Sequence, residues 1–225
     1  MQIKQIFEYL LSVPKSFYVS WRLTKSLKNA FKLPVIVSYN TVLQSLRGKF
    51  VFNCQSIKTG IVRCGFGGVG IFDKKYQRSI LEISGQVIVS GKCFFGTGSR
   101  ICVMENGILE IGNNFNNSAK ITIVCAKNIK IESDVLTSWD TFIMDTDFHH
   151  VIDTNTNNLS IMEKPISIGK NVWIGMRSVV LKGSKIADGC IVGACSLVAG
   201  KFDEQNCLLA GDPAIIIKKN ITRNE

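Results

Sequence analysis

The chain has 225 residues, is 46% hydrophobic and 20% charged, and carries a net charge of +10. That composition supports one large domain or a domain with an appendage, with a buried core. It contains neither the roughly 20 consecutive apolar residues that cross a bilayer nor a nucleic-acid recognition motif to accompany its charge.

The excess charge sits at the N-terminus. Residues 1–50 hold eight Lys and Arg (Lys4, Lys15, Arg22, Lys25, Lys28, Lys32, Arg47, Lys49) against Glu8 alone, a net +7. Phe7, Leu10, Leu11, Phe17, Tyr18, Trp21 and Leu27 are interleaved with them. The pattern reads as a mainly helical, basic, amphipathic leader. Two dispositions fit it: the apolar side packs on the domain with the lysines solvated, or the leader lies on an anionic membrane or beside an anionic glycolipid. Glu8 and its polar neighbours break any signal-peptide pattern, so a cytoplasmic location is expected, at most peripheral at the inner face of the membrane. The eight cysteines are scattered without a CxxC pair; they read as reduced, mostly buried small residues, neither disulfides nor a zinc site.

From residue 83 an aliphatic or aromatic residue leads successive hexads: "ISGQVI VSGKCF FGTGSR ICVMEN", then less regularly "IGNNFN" at 111 and "IESDVL" at 131. Between 143 and 166 the period disappears, and "DTDFHHVID" and "TNTNNLSIMEKP" fill the gap. It returns at 168 as Ile168, Ile174, Val180, Ile186, Val192 and Val198, with Gly or Ala usually second and a compact residue fifth (Val172, Ser178, Ser184, Cys190, Ser196). A period of six fits neither a helix nor one long strand. It fits short strands joined by tight bends, with the lead residue inward and the small second residue permitting the turn; such repeats mark parallel β-helices. The interruption predicts a loop protruding near 150–165, and loops on rigid scaffolds commonly carry function. The expected organisation is a leader over 1–50, a solenoid over 51–220 and a tail over 221–225.

The only two histidines, His149 and His150, stand in that loop. Two adjacent histidines cannot supply the three imidazoles of a β-helix zinc site, so no metal is expected. On an extended segment Asp147 would share a face with His149, while His150 would face away. Asp145, Asp147 and Asp153 can either orient an imidazole or shape the turn through side-chain to backbone bonds.

Together, "DTDFH" (145–149), "PISIGKNVWIG" (165–175), "IVGACSLVAGK" (191–201) and "LAGDPAIIIK" (209–218) resemble the hexapeptide-repeat acyltransferases, and among them the sugar and polysaccharide O-acetyltransferases related to maltose and galactoside acetyltransferases. The resemblance covers residues 80–220. It implies a left-handed β-helix of triangular section, residues 18 apart stacked between coils, and a homotrimer with active sites at subunit clefts. It also implies acetyl-CoA as co-substrate, with no permanently bound cofactor.

The family's general base lies 24 residues before the "WIG" tryptophan. That step assigns His149, with Asp147 or Asp145 as its orienter. Trp173, Gly175, Met176 and Ala194 would follow the pantetheine, and Ala199, Gly200, Lys201 and Lys218 the nucleotide end. Lys201 stands one place after the family's usual lysine and Ile215 replaces the customary basic residue after "PA", while Lys218 matches the next basic position. Asn117 and Ser118 match the sugar-contacting asparagine segment. An expected acidic residue is Cys125, and the basic leader lacks the family's N-terminal acidic contact. The resemblance therefore points to a larger or lipid-linked glycan acceptor, as in capsule, O-antigen or lipopolysaccharide biosynthesis. Transfer to an amino sugar, serine or xenobiotic hydroxyl, and a scaffold without activity, are the alternatives.

Overall fold

The computed structural model of the chain describes residues 3–73 and 75–224, so Met1 and Gln2 of the leader and Glu225 of the tail lie outside it. Helix α1 (Ile3–Thr24) and the short α2 (Leu27–Ala30) come first, and nearly everything after them is short strand. The strands stack into three sheets of nine, seven and seven members, and the chain visits them in rotation. These sheets are the first, second and third faces of a triangular coil. All pairings are parallel except the last, where Ala214–Lys218 folds back on Leu208–Gly211. The stacking distance expected from the repeat holds: Ile168 pairs with Ile186 and Ile174 with Val192.

The six lead residues from Ile168 to Val198 are all buried, which forms one apolar column inside the coil and supplies the main driving force for winding it. The fifth-position Ser178 and Ser184 are buried too and donate to the carbonyls of Gly193 (2.8 Å) and Val198 (2.9 Å) in the next coil. The second position has a different role from the one expected. Gly169 and Gly175 do not take positive φ. They are glycine because a Cβ would come within 2.4 Å of Asp188 Oδ1 and 2.7 Å of the Ala194 amide nitrogen. The turn itself is made at the fourth position, where Asn171, Arg177, Gly183, Gly189 and Cys195 all adopt left-handed backbone.

The coil also starts earlier than residue 51. Strand β1 (Val35–Val37) pairs with Val62–Phe66, and Val42–Leu46 and Lys49–Phe52 open the other two faces. Register shifts at Leu43/Ser45 and Cys64/Phe66 blur the period there, which is why the hexad pattern is illegible before Ile83.

The leader covers the open end of the first face. Among the described residues strand β1 has no strand on its outer side, and such an edge needs covering. Serines 12, 16 and 20, one turn apart on α1 and all buried, take that place. Ser20 Oγ accepts from the Val35 amide at 3.2 Å, Ser16 Oγ from Val37 at 3.0 Å, and Ser12 Oγ from Tyr39 at 2.9 Å. Ser20 Oγ also donates to the Val35 carbonyl at 3.1 Å. The leader thus packs on the domain through a stripe that joins the three serines to Val19 and Leu23, both fully buried in the core, and turns a second apolar side outward, so only part of its apolar surface packs on the domain. Ser16→Ala would leave the Val37 amide buried without an acceptor and is expected to cost about 1–3 kcal/mol of stability, measurable by denaturant unfolding.

Candidate active site

Residues 145–165 leave the coil at the corner between the second and third faces, as expected of the loop. Antiparallel bridges Thr146–Glu163 and Ile152–Leu159 hold its two limbs together. Its tip is an Asp153-centred turn in which the carboxylate accepts from Asn155 (2.8 Å) and Thr156 (3.2 Å); these amides hold the Asp153 carboxyl below the usual carboxylate range. At its base Asp145 is fully buried. The Asp145 carboxylate accepts three amides: Ala126 at 2.7 Å, Lys127 at 2.9 Å and Asn128 at 2.8 Å. It clamps a neighbouring coil corner and makes no hydrogen bond to His149.

Both histidines are exposed, and their surroundings differ. His150 Nδ1 lies 3.0 Å from the Ser160 carbonyl, across the two limbs. His149 makes no hydrogen bond to any described residue. The backbone between Asp147 and His149 is not extended: Phe148 has φ +62° and its amide donates to Thr146 Oγ1 at 3.0 Å. Positive φ on an aromatic residue is a costly conformation that tends to occur at functional positions. Here it swings the chain so that simple alternation does not decide where the imidazoles point. Asp147 is paired with Lys182, not His149, and Lys182 Nζ also donates to the Ile161 carbonyl at 2.6 Å. Lys182 therefore ties the histidine limb to the returning limb. As an ordinary outward residue of the repeat it gave no sequence signal.

The expected donor residues divide between corners. Trp173 lies on the outer surface of the first face, 37% exposed, with Nε1 donating to Ser138 Oγ at 3.2 Å. Gly175, Met176 and Ala194 sit just beyond it at the corner between the first and second faces, where Met176 and Ala194 are exposed. Ala199 and Gly200 lie at the same corner as the His149 loop, Lys201 opens the third face, and Lys218 ends the terminal strand. Within one chain the His149 loop and the Trp173–Ala194 corner are separated by the second face.

On the acceptor side the expectation for Asn117 is corrected. Strand Phe115–Ala119 alternates, so Asn117 points inward with Phe115 and Ala119 and is fully buried. Its amide donates to Thr137 Oγ1 at 2.9 Å and its carbonyl oxygen accepts from Ser99 Oγ at 3.2 Å. Ser118 faces outward as a partly exposed residue. An aromatic pair was missed in the sequence: Trp139 packs edge-on against Phe72 at 5.9 Å, and Lys120 Nζ, two residues on from Ser118 in the chain, lies 4.6 Å over the Phe72 ring.

A groove of about 700 Å³ lies elsewhere, at the corner between the third and first faces, among Lys58, Arg63, Lys92, Phe94 and Asn116. No imidazole or carboxylate lines it.

Fold and site define a left-handed parallel β-helix with a histidine exposed on an excursion from its coil. Residues 165–200 match the bacterial transferase hexapeptide family of six repeats. A protein of Escherichia coli K12 named as a lipopolysaccharide biosynthesis O-acetyl transferase, WbbJ, is 31% identical over 132 residues, 55% of this chain and 67% of that protein. The galactoside O-acetyltransferase of the same organism is 33% identical over 128 residues, 56% of this chain and 57% of the enzyme. The crystal structure of the polySia specific acetyltransferase NeuO shares the fold at TM-score 0.50 and 20% identity, over 85% of this chain and 79% of that one. The chain belongs to the hexapeptide-repeat acyltransferase family.

Proposed function

We propose that the chain is an acetyl-CoA-dependent O-acetyltransferase acting on a sugar hydroxyl in surface-polysaccharide or lipopolysaccharide biosynthesis, with His149 as general base. The observation that carries this reading is the contrast between the two histidines: His150 is tied to Ser160, whereas His149 is exposed with no hydrogen-bond partner among the described residues. A base must keep its nitrogen free for the substrate. In the reaction the acceptor hydroxyl oxygen attacks the thioester carbonyl carbon while His149 takes the hydroxyl proton. The carbon–sulfur bond then breaks, and the departing sulfur of CoA receives that proton from the imidazolium. Acetyl-CoA is consumed as a co-substrate.

The separation of the site over two corners supports the homotrimer. A second copy that sets its His149 corner against this chain's Trp173–Ala194 corner completes a cleft. CoA would lie in it along Trp173, Gly175, Met176 and Ala194 of one copy and Ala199, Gly200 and Lys201 of the next. Lys218 has no ion-pair partner among the described residues and is the lysine offered to phosphate, whereas Lys219 is paired with Glu204 at 2.8 Å. Ser118, two residues before the Lys120 that covers Phe72, together with the Trp139–Phe72 pair, would offer a polar and aromatic surface for a sugar.

Two measurements test this reading. Incubation with acetyl-CoA and a panel of nucleotide sugars, oligosaccharides and lipid-linked glycans is expected to add one acetyl group to a glycan, by mass spectrometry; transfer only to serine, chloramphenicol or amines would overturn it. The cysteines supply a donor-site footprint. Burial pushes the Cys64 thiol up to about 12, and burial aided by Glu82 pushes Cys102 up to about 11, so both resist alkylation as thiolates. Cys195 is exposed and adjoins Ala194. It is expected to be alkylated well before the buried thiols, and acetyl-CoA should slow that labelling at least fivefold. Unchanged labelling would remove Ala194 from the donor path.

A further inference from the structure

An ordinary surface helix buries one apolar stripe and solvates its polar side. Helix α1 buries Ser12, Ser16 and Ser20 together with Val19 and Leu23, and its opposite side is apolar as well. Phe7 (62% exposed), Leu10 (63%) and Trp21 (41%) face outward together with Leu11 and Tyr18. The surface continues onto α2, where Leu27 is exposed and Phe31, 77% exposed, sits edge-on to Phe17 at 5.2 Å. A contiguous apolar patch on a protein surface marks an interaction site.

The charge around the patch selects the occupant. Lys25, Lys28 and Lys32 are exposed, and none has a carboxylate partner among the described residues. Leu27 and Phe31 stand directly beside Lys28 and Lys32 in the chain, so cations flank exposed apolar side chains. Trp21 and Tyr18, in mutual edge contact at 6.4 Å, are the side chains that favour the boundary between hydrocarbon and headgroups. No helix of the described residues is long and apolar enough to cross a membrane, so the helix would lie along the surface.

We propose that the outward side of α1 and α2 docks the solenoid on a lipid bilayer carrying anionic headgroups. The serine contacts to β1 then fix the orientation of the whole coil, with its N-terminal end on the membrane. The inference stands apart from the acetyltransferase reading, because it uses none of the residues assigned to that site.

Flotation with vesicles tests it, using the full chain. Expected is partitioning onto phosphatidylcholine vesicles containing about one third phosphatidylglycerol, little onto pure phosphatidylcholine, and release as salt rises. Leu10→Asp with Trp21→Ser should abolish binding, and Lys28→Gln with Lys32→Gln should weaken it about thirtyfold. Circular dichroism checks that each variant stays folded, since none of these side chains faces β1. Failure of the unmodified protein to float with anionic vesicles overturns the proposal. So does a fall in the solution mass of the Leu10/Trp21 variant without vesicles, which would make the patch an interface between copies of this chain.

Discussion

Replacing His149 with alanine lowers acetyl transfer by about 10²–10⁴, the usual worth of a positioned base, equivalent to about 3–5 kcal/mol of barrier. The variant keeps its fold and its affinity for CoA, because His149 bonds to no described residue and its removal unsatisfies none of them. His150→Ala is the informative companion. It removes the bond to the Ser160 carbonyl, which joins the two limbs of the loop, so it loosens the loop and lowers activity by less than tenfold. Steady-state transfer with both variants, beside CoA binding by calorimetry, separates the roles. Unchanged turnover in His149→Ala, or loss confined to His150→Ala, would remove the base assignment.

How much of this was legible in the sequence depends on which physical constraint left a periodic trace. The interior column did, because Ile168, Ile174, Val180, Ile186, Val192 and Val198 must all point inward. Its break located the excursion correctly. The turn position did not, because left-handed backbone is taken by Asn171, Arg177, Gly183, Gly189 and Cys195 alike, residue types with no shared appearance. Asn117 was readable: Phe115 and Ala119 at alternate positions already put it inside, and that signal outweighs an alignment to a sugar-binding asparagine. The leader's disposition was also written in Ser12, Ser16 and Ser20 at helical spacing. A buried serine stripe has meaning only once β1 is known to need partners. The left-handed Phe148 and the Lys182 tie of Asp147 depend on tertiary contacts and leave no pattern in the chain.

Asp145 poses the sharpest choice between catalysis and architecture, and its substitution has the largest expected effect on structure. The buried carboxylate of Asp145 is engaged by the amides of Ala126, Lys127 and Asn128 and its carbonyl accepts from Lys164 at 3.0 Å, so it joins a coil corner to both limbs of the loop. Its negative charge, after burial, also holds the Cys125 thiol far above its ordinary range. In Asp145→Ala three amides lose their acceptor at once. At about 1–3 kcal/mol for each buried donor, partly relieved by water entering the space, the expected cost is about 3–5 kcal/mol. In a solenoid each coil is stabilised mainly by its neighbours, so the loss should concentrate there. Hydrogen exchange at residues 126–128 is expected to accelerate about 10²-fold or more, with smaller changes in the coils from Ile186 onward. Asp145→Asn, which keeps one acceptor oxygen, should fall between. Activity then follows the local opening, because the clamp holds the limb that carries His149. A fall in transfer with protection at 126–128 intact would instead make Asp145 an orienter of the imidazole, acting through a geometry closed only in the presence of substrate.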